Sequence, residues 1–288
     1  MATILSLKRR IQAAQNVSKT TRAMQMISAS KLKKAQQRAI STRPYVKQLD
    51  IMTKNVLGKI DLETFHHPYV KAGSKTGKTL MIILAPDKGL CGGLISNLLR
   101  AFIGYQKEEV DAFYVVVGRK VEGLIARLSK QVIATFNFGI TTPSFDVIYG
   151  VMKIVDDYYM EGKVDKVKVL FTDFTSFFSQ NPTRADLLPV KLTDENLETK
   201  DSTLYYIFEP RAEEILPSLL RHNIEMSLYH FYLESFASEQ ASRMLTMQNA
   251  TNNANDIIED LRLEYNITRQ AKITSELLDI TGAGIATA

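Results

Sequence analysis

Apolar positions recur at different periods along this chain, and the changes of period divide it. From residue 3 to about 57, Ala, Gln, Lys, Arg, Met and Leu dominate, Pro44 is the only proline and the first glycine is Gly58. Only Pro44 opposes a continuous helix there. Counting by sevens from Ile4 gives Ile11, Ser18, Gln25, Leu32 and Ala39, with Leu7, Ala14, Thr21, Ser28 and Ala35 as the partner series. Small and polar residues stand where a self-sufficient coiled coil places Leu and Ile, which predicts a long helix in a slim, closely approaching pair. Residues 211 to about 281 likewise contain no glycine and one early proline, Pro217. A register from Ile224 assigns Phe231, Ser238, Leu245 and Asn252 to the seam, alternating with Leu228, Ser235, Ser242 and Asn249, and Gly282 and Gly284 supply a stop.

Between the two helices the apolar runs shorten and alternate with helical stretches. Strands are predicted at Thr79–Ala85, Ala112–Val117, Gln131–Phe136 and Val167–Thr172, with a last one at Leu204–Phe208. Helices are predicted from Leu94 to about Gln106, through Val121 to Leu128, and from Pro143 to about Met160. Strands apolar on both faces that alternate with helices indicate a mainly parallel sheet covered on both sides. The predicted architecture is a central, mainly parallel three-layer α/β (Rossmann-like) domain flanked by two long terminal helices that form an antiparallel coiled coil. In residue terms, 1–58 is the N-terminal helix, 59–78 a linker, 79–209 the α/β domain and 210–288 the C-terminal helix.

Charge sharpens this picture. Residues 1–60 carry 13 Lys+Arg against Asp50 alone, whereas residues 201–288 carry 6 Lys+Arg against 13 Asp+Glu. A basic head by itself suggests nucleic acid or an anionic membrane; matched by an acidic tail, it suggests that the two ends pair. A hydrophobic share of 45% with 14 Gly and 8 Pro is a globular composition. The longest apolar runs, about six residues, fall far short of the roughly 20 that a bilayer span needs. The first ten residues show no secretory signal, and Cys91, the one cysteine, suits a reducing cytoplasm.

Candidate chemistry is sparse. Ala72–Thr79 nearly spells a phosphate-binding loop, but the strongest strand of the chain follows it, where a helix is required. A flexible basic linker is the better reading. Gly89-Leu-Cys-Gly-Gly93 does lie between a strand and a helix, where an anion can sit. Its spacing is not that of a dinucleotide fingerprint, no acid for a ribose follows Gly118-Arg119-Lys120, and a tight strand-to-helix turn accounts for it. Cys91 has no His placed as its base. The four histidines give no metal signature: His66 and His67 stand beside Pro68, and His222 with Glu225 has no second pair. These residues imply no catalytic centre, no cofactor and no metal. Lys8-Arg-Arg10 and Lys31-Leu-Lys-Lys34 leave a coiled-coil module for nucleic acid or anionic membrane as the alternative, weakened by the single aromatic, Tyr45.

Three stretches carry a family resemblance. Leu7–Asn16 with Thr21–Leu32, Asp87–Leu94, and Ser238–Met244 with Tyr265–Glu276 closely resemble, in order, the N-terminal helix, the central signature turn and the C-terminal helix of the gamma subunits of F-type ATP synthases. At the end the chain departs from that pattern, with only Ile280 and Thr281 between Asp279 and Gly282-Ala283. The resemblance implies a rotary central stalk inside a ring of three alpha and three beta subunits that hold the nucleotide sites. It also implies a foot on the epsilon subunit and the membrane c-ring, no nucleic-acid partner, and membrane association only through the complex. By the same resemblance Met24, Lys31, Arg243, Arg269, Gln270, Thr274 and Glu276 contact partner subunits, and Gly89, Cys91, Gly92 and Gly93 form the signature turn. Lacking a transit peptide and the cysteine pair of chloroplast members, the chain is expected to be of bacterial type, at the cytoplasmic face of the inner membrane. Finally, the C-terminal helix exceeds the N-terminal one by roughly 25 Å at 1.5 Å per residue. Thr268–Gly282 is therefore expected to lack a helical partner, and Met24 to face the same region.

Overall fold

A stretch with one proline in its interior and no glycine forms one helix, α1 (Ile4–Leu57), in the computed structural model. Residues 3–58, 60, 67–70, 76–108, 111–128, 131–190 and 209–286 are described. Five strands and three shorter helices follow: β1 (Thr79–Leu84), α2 (Leu94–Glu108), β2 (Ala112–Val117), α3 (Arg119–Leu128), β3 (Val132–Phe136), α4 (Val147–Met160), β4 (Lys166–Phe174) and β5 (Gln180–Leu188). A single helix of 75 residues, α5 (Ala212–Ala286), ends the chain. It runs through Gly282 and Gly284, so the expected glycine stop is not used; with the four-residue hydrogen bond already established, glycine weakens a helix without ending it. The expected strand at Leu204–Phe208 lies outside the described residues.

Chain contacts gather into two compact units, Met1–Ala29 with Arg243–Ala288, and Ser30–Ser242. The larger unit is built on the sheet, in the order β3-β2-β1-β4-β5, with β1, β2, β3 and β4 parallel. The six residues of β1 are all buried, as expected for a central parallel strand whose two faces are both covered. Met81, Ile83, Tyr114, Val116 and Leu170 pack on one face with Leu98 and Phe102 of α2 and Val121 and Ile125 of α3. The opposite face takes the other helices: Phe113 meets Tyr158 of α4, and Phe171 stacks on Phe231 of α5 at 4.4 Å. Three layers result. β5, antiparallel to β4, has no counterpart in the sequence reading. Its Gln180-Asn-Pro-Thr-Arg-Ala-Asp is polar and contains Pro182, which an edge strand tolerates and a hydrophobic-pattern search passes over.

In the smaller unit α1 and α5 run antiparallel: Ser18 Oγ donates to Asn255 Oδ1 at 2.8 Å, and the Thr21 and Thr251 hydroxyls share a bond of 2.7 Å. Along α1 the heptad register holds, with Leu7 and Ser28 buried and Ile11, Ala14, Ser18, Thr21 and Gln25 half-buried. Along α5 it does not. The buried seam is Met247, Thr251, Ala254, Ile258 and Leu261, while Asn249 and Asn252 are exposed. The register from Ile224 started where α5 is enclosed on every side, and a helix buried all round carries no stripe to extrapolate.

Candidate functional site

The sequence places a Gly-rich turn after the first strand, and the structure shows what that turn is built around. β1 lies between β2, reached through α2, and β4, reached from β3 through α4, so the direction of strand addition reverses beside β1. In open α/β sheets the crevice at such a reversal, beyond the carboxyl ends of the strands, is where ligands bind. Here the chain's own groups occupy it. The Asp87 carboxylate accepts backbone N–H bonds from Arg119 (3.0 Å), Phe138 (3.1 Å) and Gly139 (2.8 Å), tying together the ends of β1, β2 and β3. Gly118, at φ +114°, lets β2 pass so close to β1 that a Cβ would sit 2.0 Å from the Ala85 carbonyl oxygen. Leu90 takes a left-handed conformation at φ 62°, and Gly92 at φ 56° follows it in the turn.

The remaining space is filled by α5. Ser242 Oγ donates to the Cys91 carbonyl at 2.7 Å, and one turn away Ser238 Oγ donates to the Thr172 carbonyl at 3.1 Å. Tyr232 and Phe236 stack against Phe138, at 5.4 and 6.3 Å. Burial raises the Tyr232 hydroxyl pKa, and the nearby Asp87 charge adds to it. Cys91 is a buried thiol. Residues 72–75 of the stretch that resembles a phosphate loop lie outside the described residues; in its remainder the Gly77 N–H donates to Asp165 Oδ2 at 2.6 Å. Burial raises the Asp165 carboxyl pKa, but bonds from Gly77 and Thr76 and the neighbouring Lys166 charge outweigh it and hold the group below its usual range. No cluster of His, Cys, Asp or Glu among the described residues is arranged to hold a metal.

The residues expected to touch partners are mostly displayed, not assembled. Met24 lies on an exposed part of α1 within the smaller unit. It is one turn from the Thr21–Thr251 contact, and Arg269 is roughly 27 Å further along α5 at 1.5 Å per residue. The two do not face one region, because antiparallel pairing sends α5 onward past the start of α1. Arg269, Gln270, Thr274 and Glu276 are exposed on consecutive turns; Thr274 Oγ donates to the Gln270 carbonyl at 3.0 Å, and Lys272 approaches Glu276 at 3.6 Å. Lys31 instead donates to the Ile140 carbonyl at 2.8 Å, and Arg243 is half-buried.

The expected pairing of basic head with acidic tail is replaced by another chemistry. Arg43 does reach Glu234 at 3.0 Å. Elsewhere hydroxyl and amide groups join the helices, and Arg38 donates to the Pro143 carbonyl at 3.1 Å. Lys8, Arg9, Arg10, Lys19 and Arg22 are exposed and form no ion pair with the described acids. A slim seam leaves no apolar shoulder along which long basic side chains can be held towards acids opposite.

With this geometry in view, the comparisons are specific. A family model described as ATP synthase matches residues 3–286. The ATP synthase gamma chain of Dehalococcoides mccartyi strain CBDB1 is 40% identical over 296 residues, covering 100% of both chains. Those of Leptothrix cholodnii (37%, 99% of each chain) and Legionella pneumophila strain Paris (33%, 99% and 100%) are similar over the same extent. The chain belongs to the ATP synthase gamma chain family. Its fold is matched in a structure titled as Euglena gracilis mitochondrial ATP synthase, OSCP/F1/c-ring, at TM-score 0.67 and 16% identity, over 99% of this chain and 94% of that one. A second match, titled as the Tetrahymena thermophila mitochondrial ATP synthase central stalk and c-ring, has TM-score 0.59 and 23% identity over 80% and 99%. Among the described residues no helix is long and apolar enough to cross a membrane.

Proposed function

We propose that this chain is the central-stalk rotor of an F-type ATP synthase, coupling ion flow through a membrane c-ring to ATP synthesis or hydrolysis on an alpha–beta hexamer. The observation that carries this reading is the full-length likeness to curated gamma chains, 40% identical with 100% of both chains covered. The chain's own chemistry is in keeping with a non-catalytic subunit. Its sheet has the crevice in which α/β proteins bind ligands, and a helix and an aspartate of the same chain fill it. Its partners are then three alpha and three beta subunits, an epsilon subunit and the c-ring. It associates with the membrane through the complex, at the cytoplasmic face of a bacterial inner membrane.

Within this reading the bared end of α5 enters the alpha–beta ring. The residues from Arg269 to Leu278 are all exposed, and Ile273, Leu277 and Leu278 among them are apolar; a surface of that kind marks an interaction site. Arg269, Gln270, Thr274 and Glu276 then contact beta-subunit loops. Met24, Lys31 and Arg243 contact the ring nearer its entrance, and Gly89, Cys91, Gly92 and Gly93 hold the turn beneath α5.

Co-purification tests the reading. The tagged chain is expected to bring down alpha and beta subunits in threefold excess, with ATPase activity in the complex and none in the chain alone. Recovery of the chain with nucleic acid and without these subunits overturns it.

A further inference from the structure

Within the larger unit, β1 and β4 stay paired only as far as Ile83 and Leu170 in register. Beyond that point β1 turns to β2, where the Ala85 N–H donates to the Val117 carbonyl at 2.8 Å. β4 continues there without a strand neighbour, on the side to which the N–H and the carbonyl of Thr172 both point. Thr172 is buried, and buried backbone groups must find partners. Both of its groups bond to α5: its N–H donates to Ser235 Oγ at 3.2 Å, and its carbonyl accepts from Ser238 Oγ at 3.1 Å. Ser242 repeats the pattern on the other wall of the crevice, donating to the Cys91 carbonyl at 2.7 Å.

The three serines stand at positions i, i+3 and i+7 and so form one stripe along the helix. Around them every residue from Tyr232 to Ala241 is buried, so α5 is enclosed on all sides here. Close packing, with Tyr232 and Phe236 stacked on Phe138, and the Arg43–Glu234 pair at 3.0 Å already oppose rotation of the helix about its axis, and the serines add contacts to the backbone of the sheet itself. Hydrogen bonds are directional. Turning α5 by one residue, about 100°, takes all three hydroxyls off their partners together.

We propose that Ser235, Ser238 and Ser242 are positioning residues that key α5 to the sheet, so that torque on the helix passes to the α/β domain instead of being lost as slippage about the helix axis. The proposal rests on the rotor reading. The serines touch no nucleotide and no transported ion; they act by fixing the angle between the helix that would meet the alpha–beta ring and the domain that would meet the c-ring.

The test uses the assembled, membrane-bound complex carrying S235A/S238A/S242A. ATP hydrolysis is expected to stay within about twofold of the unsubstituted complex, while ions taken up per ATP hydrolysed fall at least threefold. In the same variant the Thr172 amide should exchange its hydrogen at least tenfold faster. A role confined to folding lowers assembly and hydrolysis together and leaves the uptake ratio of surviving complexes unchanged, and that result overturns the proposal. Should the triple variant fail to assemble, Ser242→Ala, at the half-buried rim, decides: a reduced uptake ratio at full hydrolysis supports the key, and a normal ratio overturns it. An unsubstituted complex that hydrolyses ATP with no uptake of protons or sodium removes the rotor reading itself, whereas normal coupling in both complexes removes the key alone.

Discussion

One helix, α5, passes through two opposite surroundings. From Tyr232 to Ala241 every side chain is buried, and from Arg269 to Leu278 every side chain is exposed. Both stretches have good helix formers and no glycine or proline, so local propensity is the same in each. What differs is what the side chains can do. The enclosed stretch carries Tyr232, Leu233, Phe236, Ala237 and Ala241 together with Ser235 and Ser238, whose hydroxyls find backbone partners. The exposed stretch scatters Ile273, Leu277 and Leu278 among Arg269, Lys272 and Glu276, with an i,i+4 pair at 3.6 Å that is worth little in water. Helix formation is thus common to both, and burial is assigned by which residues have a complementary surface within reach.

The sharpest way to break the comparison is to empty the enclosed stretch. Phe236 is fully buried and stacked on Phe138. Phe236→Ala is expected to cost about 3–5 kcal/mol, the range for removing a buried aromatic ring. Urea denaturation of the full chain, followed by circular dichroism, reads it. A loss below about 1 kcal/mol would mean that the socket is not close-packed.

A smaller effect comes from acid. His230 stands beside Glu234, with Nε2 3.5 Å from Oε1, and Arg43 and Asp173 face the same group. Burial lowers its pKa below 6.5; Glu234 and Asp173 act upward and Arg43 downward, and the net shift is down. The unfolded chain therefore binds a proton at a pH where the folded chain does not. Stability is fully present above about pH 6.5 and declines as the pH falls through the lowered value. Tm measured from pH 7.5 down to 5 should show this decline, and His230→Gln should flatten it. An unchanged slope in His230→Gln would show that the ring is not held neutral.

How much of this was legible in the sequence follows from the same contrast. The strands β1 and β2 announce themselves because both faces are buried and their apolar runs are unbroken, as in Thr79-Leu-Met-Ile-Ile-Leu. The α1 heptad is legible because one side of that helix faces water. β5 gives no signal because an edge strand with Pro182 and Arg184 lacks any hydrophobic period, and the seam at Met247, Thr251 and Ala254 escapes the register from Ile224 because it begins where all-round burial ends. The signature turn is readable as residues, but the work of Asp87, which ties three strand ends together, needs the β1–β2–β3 adjacency that no local pattern contains. Charge misled most. A +5 chain with a basic head and an acidic tail reads as a pair held by ions, yet hydroxyls and amides join its seam.

That polar seam supports a third, milder substitution. Thr251→Val removes the 2.7 Å bond to Thr21, whose own hydroxyl keeps the Val17 and Ser18 carbonyls at 3.0 and 3.1 Å. With no buried group left unsatisfied, the expected cost is about 1 kcal/mol or less. Thermal unfolding of the full chain measures it. A loss of about 3 kcal/mol would mean that the smaller unit depends on its hydroxyl contacts as heavily as the larger one does on its core.

The smallest effect on the chain alone is expected at the exposed stretch, and it sharpens the comparison by separating stability from assembly. Ile273 and Leu277 are 48% and 58% exposed, so replacing both by serine removes little buried area and leaves no cavity. Surface substitutions of this kind change stability by about 0.5 kcal/mol or less, and Tm of the isolated chain should hardly move. In the complex the outcome differs, if the end of α5 lies inside the alpha–beta ring as proposed: the same two side chains then become buried on assembly and their loss weakens it. The expected pair of results is an unchanged melting curve for the free chain and a reduced yield, or a faster loss of activity on dilution, for the assembled complex. An unchanged complex would place the apolar positions of Arg269–Leu278 in water in both states, and the contrast within α5 would then be one of packing alone, with no interface at its exposed end.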